Sequence, residues 1–234
     1  MLDYSVAFDQ QIVKLTKKLA GVKQVQFERI RAVVFDLDGT LVDSALDFAA
    51  ICRDIGWPSG TPLLEQLAKT FDITERERAE QIIRRHEMLG AEQAVWIPGA
   101  EQCLRLLQQS DIPVAILTRN MRSATQRVMQ RLQIADLPVL TREDCAAKPD
   151  PQGLLLLAEQ FSVPVGQLLY VGDYLFDLQT AANAGAVSGL YLNGKNTQFS
   201  SLANWTFDHF DELTTALFGT DRVQQLLHSD QRVS

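Results

Sequence analysis

The sequence predicts an α/β fold in which a mainly parallel sheet of five or more strands is covered by helices on both faces. The first observation is a set of short, mainly apolar runs, at residues 32–35, 114–117, 137–140, 168–171 and 187–192. The second is that stretches with apolar residues at helical spacing separate these runs. Strands without polar alternation belong to parallel sheets that are buried on both faces, and such sheets bind ligands at the carboxyl ends of their strands.

The helices of this core follow from the same apolar spacing. In chain order they are predicted at residues 101–109, 121–132, 152–161 and 177–184, with a last one from about residue 219.

One interval breaks the alternation of strands and helices. Residues 44–97 contain no convincing strand, and their apolar pattern indicates three helices, at 45–55, 62–71 and 74–89. We therefore predict a small α-helical cap inserted after the first strand. Its most charged stretch, 75–89, is typical of a solvated helix with internal ion pairs.

The predicted domain organisation has three parts. A further helix is expected near the N-terminus, where Phe8, Ile12, Leu15 and Leu19 recur at helical spacing. The parts are an N-terminal helical extension at 1–29, an α/β core at 30–43 and 98–234, and the helical cap at 44–97.

Composition excludes several classes of protein. The chain has 234 residues, 46% hydrophobic and 22% charged, as in ordinary globular proteins, and its net charge of −7 gives no reason to expect a nucleic-acid partner. No segment approaches the ~20 apolar residues of a membrane span, and the N-terminus lacks the apolar run of a signal peptide. Three widely spaced cysteines indicate reduced thiols, so we expect a cytoplasmic protein without a membrane partner.

Polar side chains follow the predicted strands at their carboxyl ends. Asp36 and Asp38 follow the first strand, "TRN" (118–120) follows the second, and "GDYLFD" (172–177) follows "LLYV". Lys148, in "KPDP", precedes the helix before "LLYV". All of these are expected at one edge of the sheet. Residues two apart in a strand share a face, so we expect the two aspartates to project together, where like charges repel unless a cation compensates.

These residue types suit phosphoryl transfer. Asp36, Asp38 and Asp173 form an oxygen-rich cluster that suits Mg²⁺, whereas no His or Cys is present in these segments to favour zinc or copper. Lys148 and the hydroxyl of Thr118 can bind a phosphoryl group. Asp36 is then the candidate nucleophile, which forms an aspartyl-phosphate, and Asp38 the candidate acid and base.

The segments "FDLDGTLVDS", "LTRN", "KPDP" and "VGDYLFDLQTAANAGA" resemble the ordered motifs of the haloacid dehalogenase-like (HAD) hydrolases, in the phosphoglycolate phosphatase-like branch. The resemblance covers about residues 30–218. It implies a three-layer Rossmann-like core with the cap after the first strand. It also implies that Mg²⁺ is held by Asp36, the backbone carbonyl of Asp38 and Asp173, with Asp177 in support.

The resemblance further implies that Thr118 and Lys148 bind the phosphoryl group, helped by Asn120. Two departures from the family pattern stand out. Arg119 is inserted after Thr118, and the sequence leaves two environments open for its guanidinium, contact with the substrate or exposure to solvent. "GDYLFD" carries bulky residues where a small hydroxyl residue is usual.

The expected function is that of a Mg²⁺-dependent phosphatase, a phosphoric monoester hydrolase, acting on a small phosphorylated metabolite such as phosphoglycolate or a sugar phosphate. A sugar-phosphate mutase of the same family and a catalytically idle, protein-binding relative are the alternatives. A receiver-like signalling module is disfavoured. Its phosphorylated aspartate would lie on a middle strand of the chain, and no cap would follow its first strand, whereas this sequence shows the reverse. In the cap, Arg53, Arg84, Arg85 and His86 are weak candidates for substrate contact.

Overall fold

A six-stranded parallel sheet forms the centre of the computed structural model, which describes residues 25–134 and 136–230. The N-terminal helix expected around residues 8–19 lies outside the described residues. In the described part, no helix combines the length and the apolar character needed to cross a membrane.

The strands, in chain order, include two short ones that the apolar runs did not predict and one added at the sheet edge. They are β1 (Ala32–Phe35), β2 (Val42–Asp43), β3 (Val95–Trp96), β4 (Val114–Leu117), β5 (Val139–Leu140), β6 (Leu168–Gly172), β7 (Val187–Tyr191) and β8 (Trp205–Phe207). The α-helices are α1 (Phe48–Ile55), α2 (Leu63–Lys69), α3 (Ile73–Gln93), α4 (Ala100–Gln109), α5 (Arg122–Arg131), α6 (Gln152–Gln160), α7 (Leu175–Ala184), α8 (Phe210–Phe218) and α9 (Thr220–Asp230).

The order of the main sheet is β5-β4-β1-β6-β7-β8, and every neighbouring pair is parallel. β1 lies inside the sheet, with Val34 in register with Ala115 on one side and Tyr170 on the other. The chain moves outward from β1 to β4 and β5 and then returns to β6 on the other side of β1. Such a reversal of strand order opens a crevice at the carboxyl ends of the strands, so the residues after β1 and β6 are placed side by side.

The sheet is covered on both faces, which confirms the predicted three-layer α/β fold. On one face Val34, Leu117 and Tyr170 pack with Leu154 and Leu157 of α6 in a buried apolar cluster. On the other face the ring of Phe35 lies 6.4 Å from that of Phe210 in α8. β8 escaped the sequence analysis because three residues, "WTF", are too short to show a period.

Contacts group the described residues into two units. The first contains the segments that end at Val42, run over Trp96–Arg119 and begin at Asp136; the second contains Asp43–Val95 and residues 120–134. The second unit includes the three helices predicted for the cap and also α5. A cap domain with boundaries at 44 and 97 stays a prediction.

Polar contacts explain why α5 groups with α3. The buried carboxylate of Glu87 accepts a hydrogen bond from the backbone N–H of Met121 at 3.0 Å, just before α5 begins. Further along, Arg127 donates to both carboxylate oxygens of Glu92, at 2.8 and 2.7 Å. Charge-assisted pairs with this bidentate geometry hold two helices in a defined register.

Four consecutive leucines in α6 offer a test of this packing. Leu157 is fully buried, whereas Leu156 is 40% exposed. We expect Leu157→Ala to lower the free energy of unfolding by about 2–5 kcal/mol, because it leaves a cavity, and Leu156→Ala to change it by less than about 1 kcal/mol. Urea denaturation measures both; equal losses for the two variants would contradict the assigned helix face.

Candidate active site

Asp36 is the first residue after β1 and is buried, with its backbone N–H bonded to the carbonyl of Val171 at 2.8 Å. β1 ends at Phe35, and Asp38 lies in the following turn, where it forms an isolated bridge with Val42. Both aspartates therefore lie beyond the strand, so strand alternation does not orient them, and their joint projection stays a prediction. A turn, which the "DGT" segment accommodates through Gly39 at φ +81°, positions Asp38 instead.

Lys148 joins two of the acids. Its ammonium donates to Oδ1 of Asp36 at 2.6 Å and to Oδ1 of Asp177 at 2.7 Å, and the side chain is only 4% exposed. Burial lowers the pKa of Lys148, but the carboxylates of Asp177 and Asp36 outweigh that effect and raise the pKa above its ordinary value. The lysine is therefore a permanent positive charge at the carboxyl edge of the sheet.

The electrostatics of the acids favour a bound cation. Burial raises the pKa of Asp36, the neighbouring Lys148 lowers it in part, and Asp177 raises it again, so that the net shift is upward. Burial, together with the charges of Asp177 and Asp36, raises the pKa of Asp173 to about 8. Without further positive charge these carboxyl groups resist ionisation.

The donor set fits a hard divalent ion. Asp36, Asp173 and Asp177 each offer a carboxylate oxygen, and the three oxygens lie within 4.8 Å of one another. The space beside them is kept clear at Gly39, where an added Cβ would come within 2.5 Å of Oδ2 of Asp173. All-oxygen sites of this kind suit Mg²⁺ and related hard cations.

Asp177 is engaged differently from the other two acids. Its Oδ1 accepts from Lys148 and also from the hydroxyl of Tyr170, at 3.0 Å, and its Oδ2 accepts from the backbone N–H of Tyr174 at 3.0 Å. Both oxygens thus have protein donors, which favours a supporting role. Gly172 is needed for this arrangement, since a Cβ there would lie 2.2 Å from the Asp177 carboxyl carbon.

Three supporting residues were not predicted from the sequence. Asn193 donates to Oδ2 of Asp173 at 3.0 Å, and Asn196 donates to the backbone carbonyl of Asp173 at 2.7 Å. Both follow β7, so the strand-end rule, applied to that strand as well, would have found them. The third, Tyr170, carries the one polar side chain of the buried strand β6, and its hydroxyl donates a hydrogen bond to Asp177.

Thr118 is buried at the end of β4, and its backbone N–H donates to Leu140 at 2.9 Å. Arg119 lies with its guanidinium carbon 4.3 Å from the ring centroid of Phe176 and donates through Nη1 to the backbone carbonyl of Lys148. Asn120 is half-buried and groups with the second unit. The roles predicted for these three residues stay predictions.

Three of the four charged residues singled out in the predicted cap contact a carboxylate. Arg85 and His86 both contact the carboxylate of Asp54 at 2.8 Å, and Arg53 lies 3.8 Å from Asp47. Arg84 is exposed. Within α3, the pair of Arg76 and Glu80 at 3.2 Å agrees with the solvated, ion-paired helix that the sequence favours.

Comparison with known proteins supports one family. The family model described as haloacid dehalogenase-like hydrolase matches residues 30–185. A phosphoglycolate phosphatase of Escherichia coli is 30% identical over 205 residues, which cover 70% of this chain and 81% of the relative. An N-acetylmuramic acid 6-phosphate phosphatase of Pseudomonas aeruginosa is 27% identical, covering 77% and 89%.

Solved structures described as members of the same family share the fold of this chain. A crystal structure of a HAD family hydrolase from Deinococcus radiodurans, with bound phosphate and sodium, matches with a TM-score of 0.63 and 20% identity, over 83% of this chain and 98% of that one. At this identity the match shows the fold alone. Because the family model spans more than half of the sequence and runs through all of the strand-end acids, this chain belongs to the haloacid dehalogenase-like hydrolases, as its motifs predicted.

Proposed function

We propose that the protein is a Mg²⁺-dependent phosphatase that hydrolyses a small phosphorylated metabolite through an aspartyl-phosphate on Asp36. The observation that carries the proposal is the buried contact of Lys148 with Asp36, beside the two acids that follow β6, Asp173 and Asp177. A fixed positive charge next to a carboxylate nucleophile is what transfer of a charged phosphoryl group requires.

In the first step, a carboxylate oxygen of Asp36 attacks phosphorus, and the bond between phosphorus and the leaving oxygen breaks. Lys148 favours the ionised form of Asp36 and, with the hydroxyl of Thr118, binds the phosphoryl oxygens. Asp38 gives its proton to the leaving oxygen, so the product departs as an alcohol. In the second step, Asp38 takes a proton from the water that attacks the aspartyl-phosphate, which returns Asp36 and releases inorganic phosphate.

The carboxylates of Asp36 and Asp173 and the backbone carbonyl of Asp38 would hold Mg²⁺, supported by Asp177. When bound, the ion supplies positive charge to the acids and to the phosphoryl oxygens. Asn193 and Asn196 keep Asp173 oriented toward this position through its side chain and its backbone.

The substrate class follows from the relatives. The two named above act on phosphoglycolate and on N-acetylmuramic acid 6-phosphate. Both names describe small phosphate esters, which supports a small phosphorylated metabolite here. The substrate can be identified by incubating the purified protein and Mg²⁺ with phosphoglycolate, sugar phosphates and N-acetylmuramic acid 6-phosphate. The release of inorganic phosphate is measured for each compound.

We expect Asp36→Asn to reduce phosphate release by at least about 10³-fold, because the amide cannot form the acyl-phosphate. The assay uses p-nitrophenyl phosphate and the best substrate of the screen. Asp221→Asn, an exposed aspartate on α9, is the matched control and should keep the wild-type rate. Wild-type turnover in the Asp36 variant would disprove the nucleophile assignment.

For Asp38→Asn we expect kcat to fall about 10²–10⁴-fold, since the leaving oxygen then departs without a proton. A substrate with a good leaving group, such as p-nitrophenyl phosphate, should lose less in the first step than a sugar phosphate does. The initial burst of p-nitrophenol measures this difference. Equal, undiminished rates on both substrates would remove Asp38 from the mechanism.

The raised carboxyl pKa values predict how stability depends on pH. In the metal-free protein, folded Asp173 still holds a proton at pH values where the unfolded chain has released it, so the free energy of unfolding decreases as pH rises from about 4 to about 8. Between pH 5.5 and 8.5 we expect the melting temperature of metal-free wild type to fall roughly 5 °C further than that of Asp173→Asn. Mg²⁺ should restore the wild type at pH 8.5 and leave the variant unchanged. Parallel melting curves would show that Asp173 does not titrate in this range.

A further inference from the structure

The two places where the sequence departs from the family pattern meet in the fold. Arg119 follows Thr118 at the end of β4, and Phe176 lies in the first turn of α7. The guanidinium carbon of Arg119 lies 4.3 Å from the centroid of the Phe176 ring, within the range of a cation–π contact. Both residues belong to the first unit.

Arg119 is also tied to the segment that carries Lys148. Its Nη1 donates to the backbone carbonyl of Lys148 itself. In return, the backbone carbonyl of Arg119 accepts a hydrogen bond from Nη1 of Arg142 at 2.8 Å. Arg142 and Lys148 lie in the connection between β5 and α6, so this connection is held to the end of β4 at two points.

The position of the Lys148 backbone matters because its side chain is long and its contacts are close. The ammonium meets Asp36 at 2.6 Å and Asp177 at 2.7 Å. A lysine stem has four rotatable bonds, so the direction of the ammonium depends on where its Cα is held. Displacements of about 1 Å in catalytic groups can cost 10²-fold in rate.

We infer that Arg119 and Phe176 form one positioning pair that holds the backbone of Lys148, and that Arg119 serves the reaction through Lys148 and not as a ligand of a substrate anion. A guanidinium is suited to this task, because it stacks on a ring with its face while it donates in its plane. An ammonium lacks this flat face and the fixed fork of N–H donors, so a lysine would hold the same two contacts in a less defined geometry. The bulky Phe176 and the inserted Arg119 are then a single matched departure, since each needs the other. This inference rests on the proposed phosphatase function.

The test compares Arg119→Lys, Phe176→Leu and the double variant on two substrates, p-nitrophenyl phosphate and phosphoglycolate, which carries an additional carboxylate. We expect each single change to lower kcat about tenfold on both substrates, with KM altered less than about threefold. The double variant should be no slower than the slower single variant, because the pair acts as a unit. Phe176→Tyr, which keeps the ring, should retain the wild-type kcat, as should the control Arg105→Lys on the exposed face of α4.

Two kinetic results would overturn the inference. A rise in KM for phosphoglycolate alone, with kcat unchanged, would make Arg119 a substrate ligand. Losses that multiply in the double variant would show that Arg119 and Phe176 act independently.

A readout without turnover separates this inference from the proposed function. The ¹⁵N resonance of the Lys148 ammonium reports its two carboxylate contacts directly. We expect this resonance to shift or broaden in Arg119→Lys and Phe176→Leu and to stay in place in Arg105→Lys. If wild type hydrolyses no phosphate ester, the proposed function fails, and the resonance still decides the positioning pair; an unchanged signal in both single variants would refute it.

Discussion

The buried ammonium of Lys148 is the interaction on which the rest of the site depends. It bridges Asp36 and Asp177, whose side chains are 10% and 1% exposed. Burying two carboxylates side by side is strongly unfavourable unless a positive charge and hydrogen bonds compensate. Lys148 provides that charge from a different part of the chain. The ends of β1 and β6 and the connection before α6 must therefore lie close together. Stable burial of the two acids and the chemistry of the site both depend on this arrangement.

The acids around Lys148 divide their work according to their hydrogen bonds. Asp177 has protein donors at both oxygens and acts as a structural anchor for the lysine. Asp36 and Asp173 keep upward-shifted pKa values because burial is incompletely compensated there. The same incomplete compensation that costs stability in the metal-free protein would favour the binding of a hard cation. The adjacency of β1 and β6 brings Asp36 and Asp173 together.

The support of the site extends beyond the motif residues. Arg119, at the end of β4, lies on Phe176 and donates to the Lys148 backbone, and Arg142, just after β5, donates to the backbone of Arg119. Asn193 and Asn196 connect the end of β7 to Asp173. Segments that follow β4, β5 and β7 thus contribute polar groups that restrain Lys148 and Asp173. A departure from a family motif is best interpreted together with the residue it contacts, as the pairing of Arg119 with Phe176 illustrates.

The sequence by itself determined the α/β class, the family and the strand-end acids, because apolar runs and motif spacing are local properties of the chain. It could not place Asp38, since the end of β1 at Phe35 replaced strand alternation by a turn. Nor could it predict β8, the grouping of α5 with α3, or the support from Tyr170 and Asn193, which arise from segments far apart in the chain. Only the tertiary structure decided which acid meets Lys148 and where the guanidinium of Arg119 lies, because hydrogen bonds and ring contacts between distant segments depend on packing.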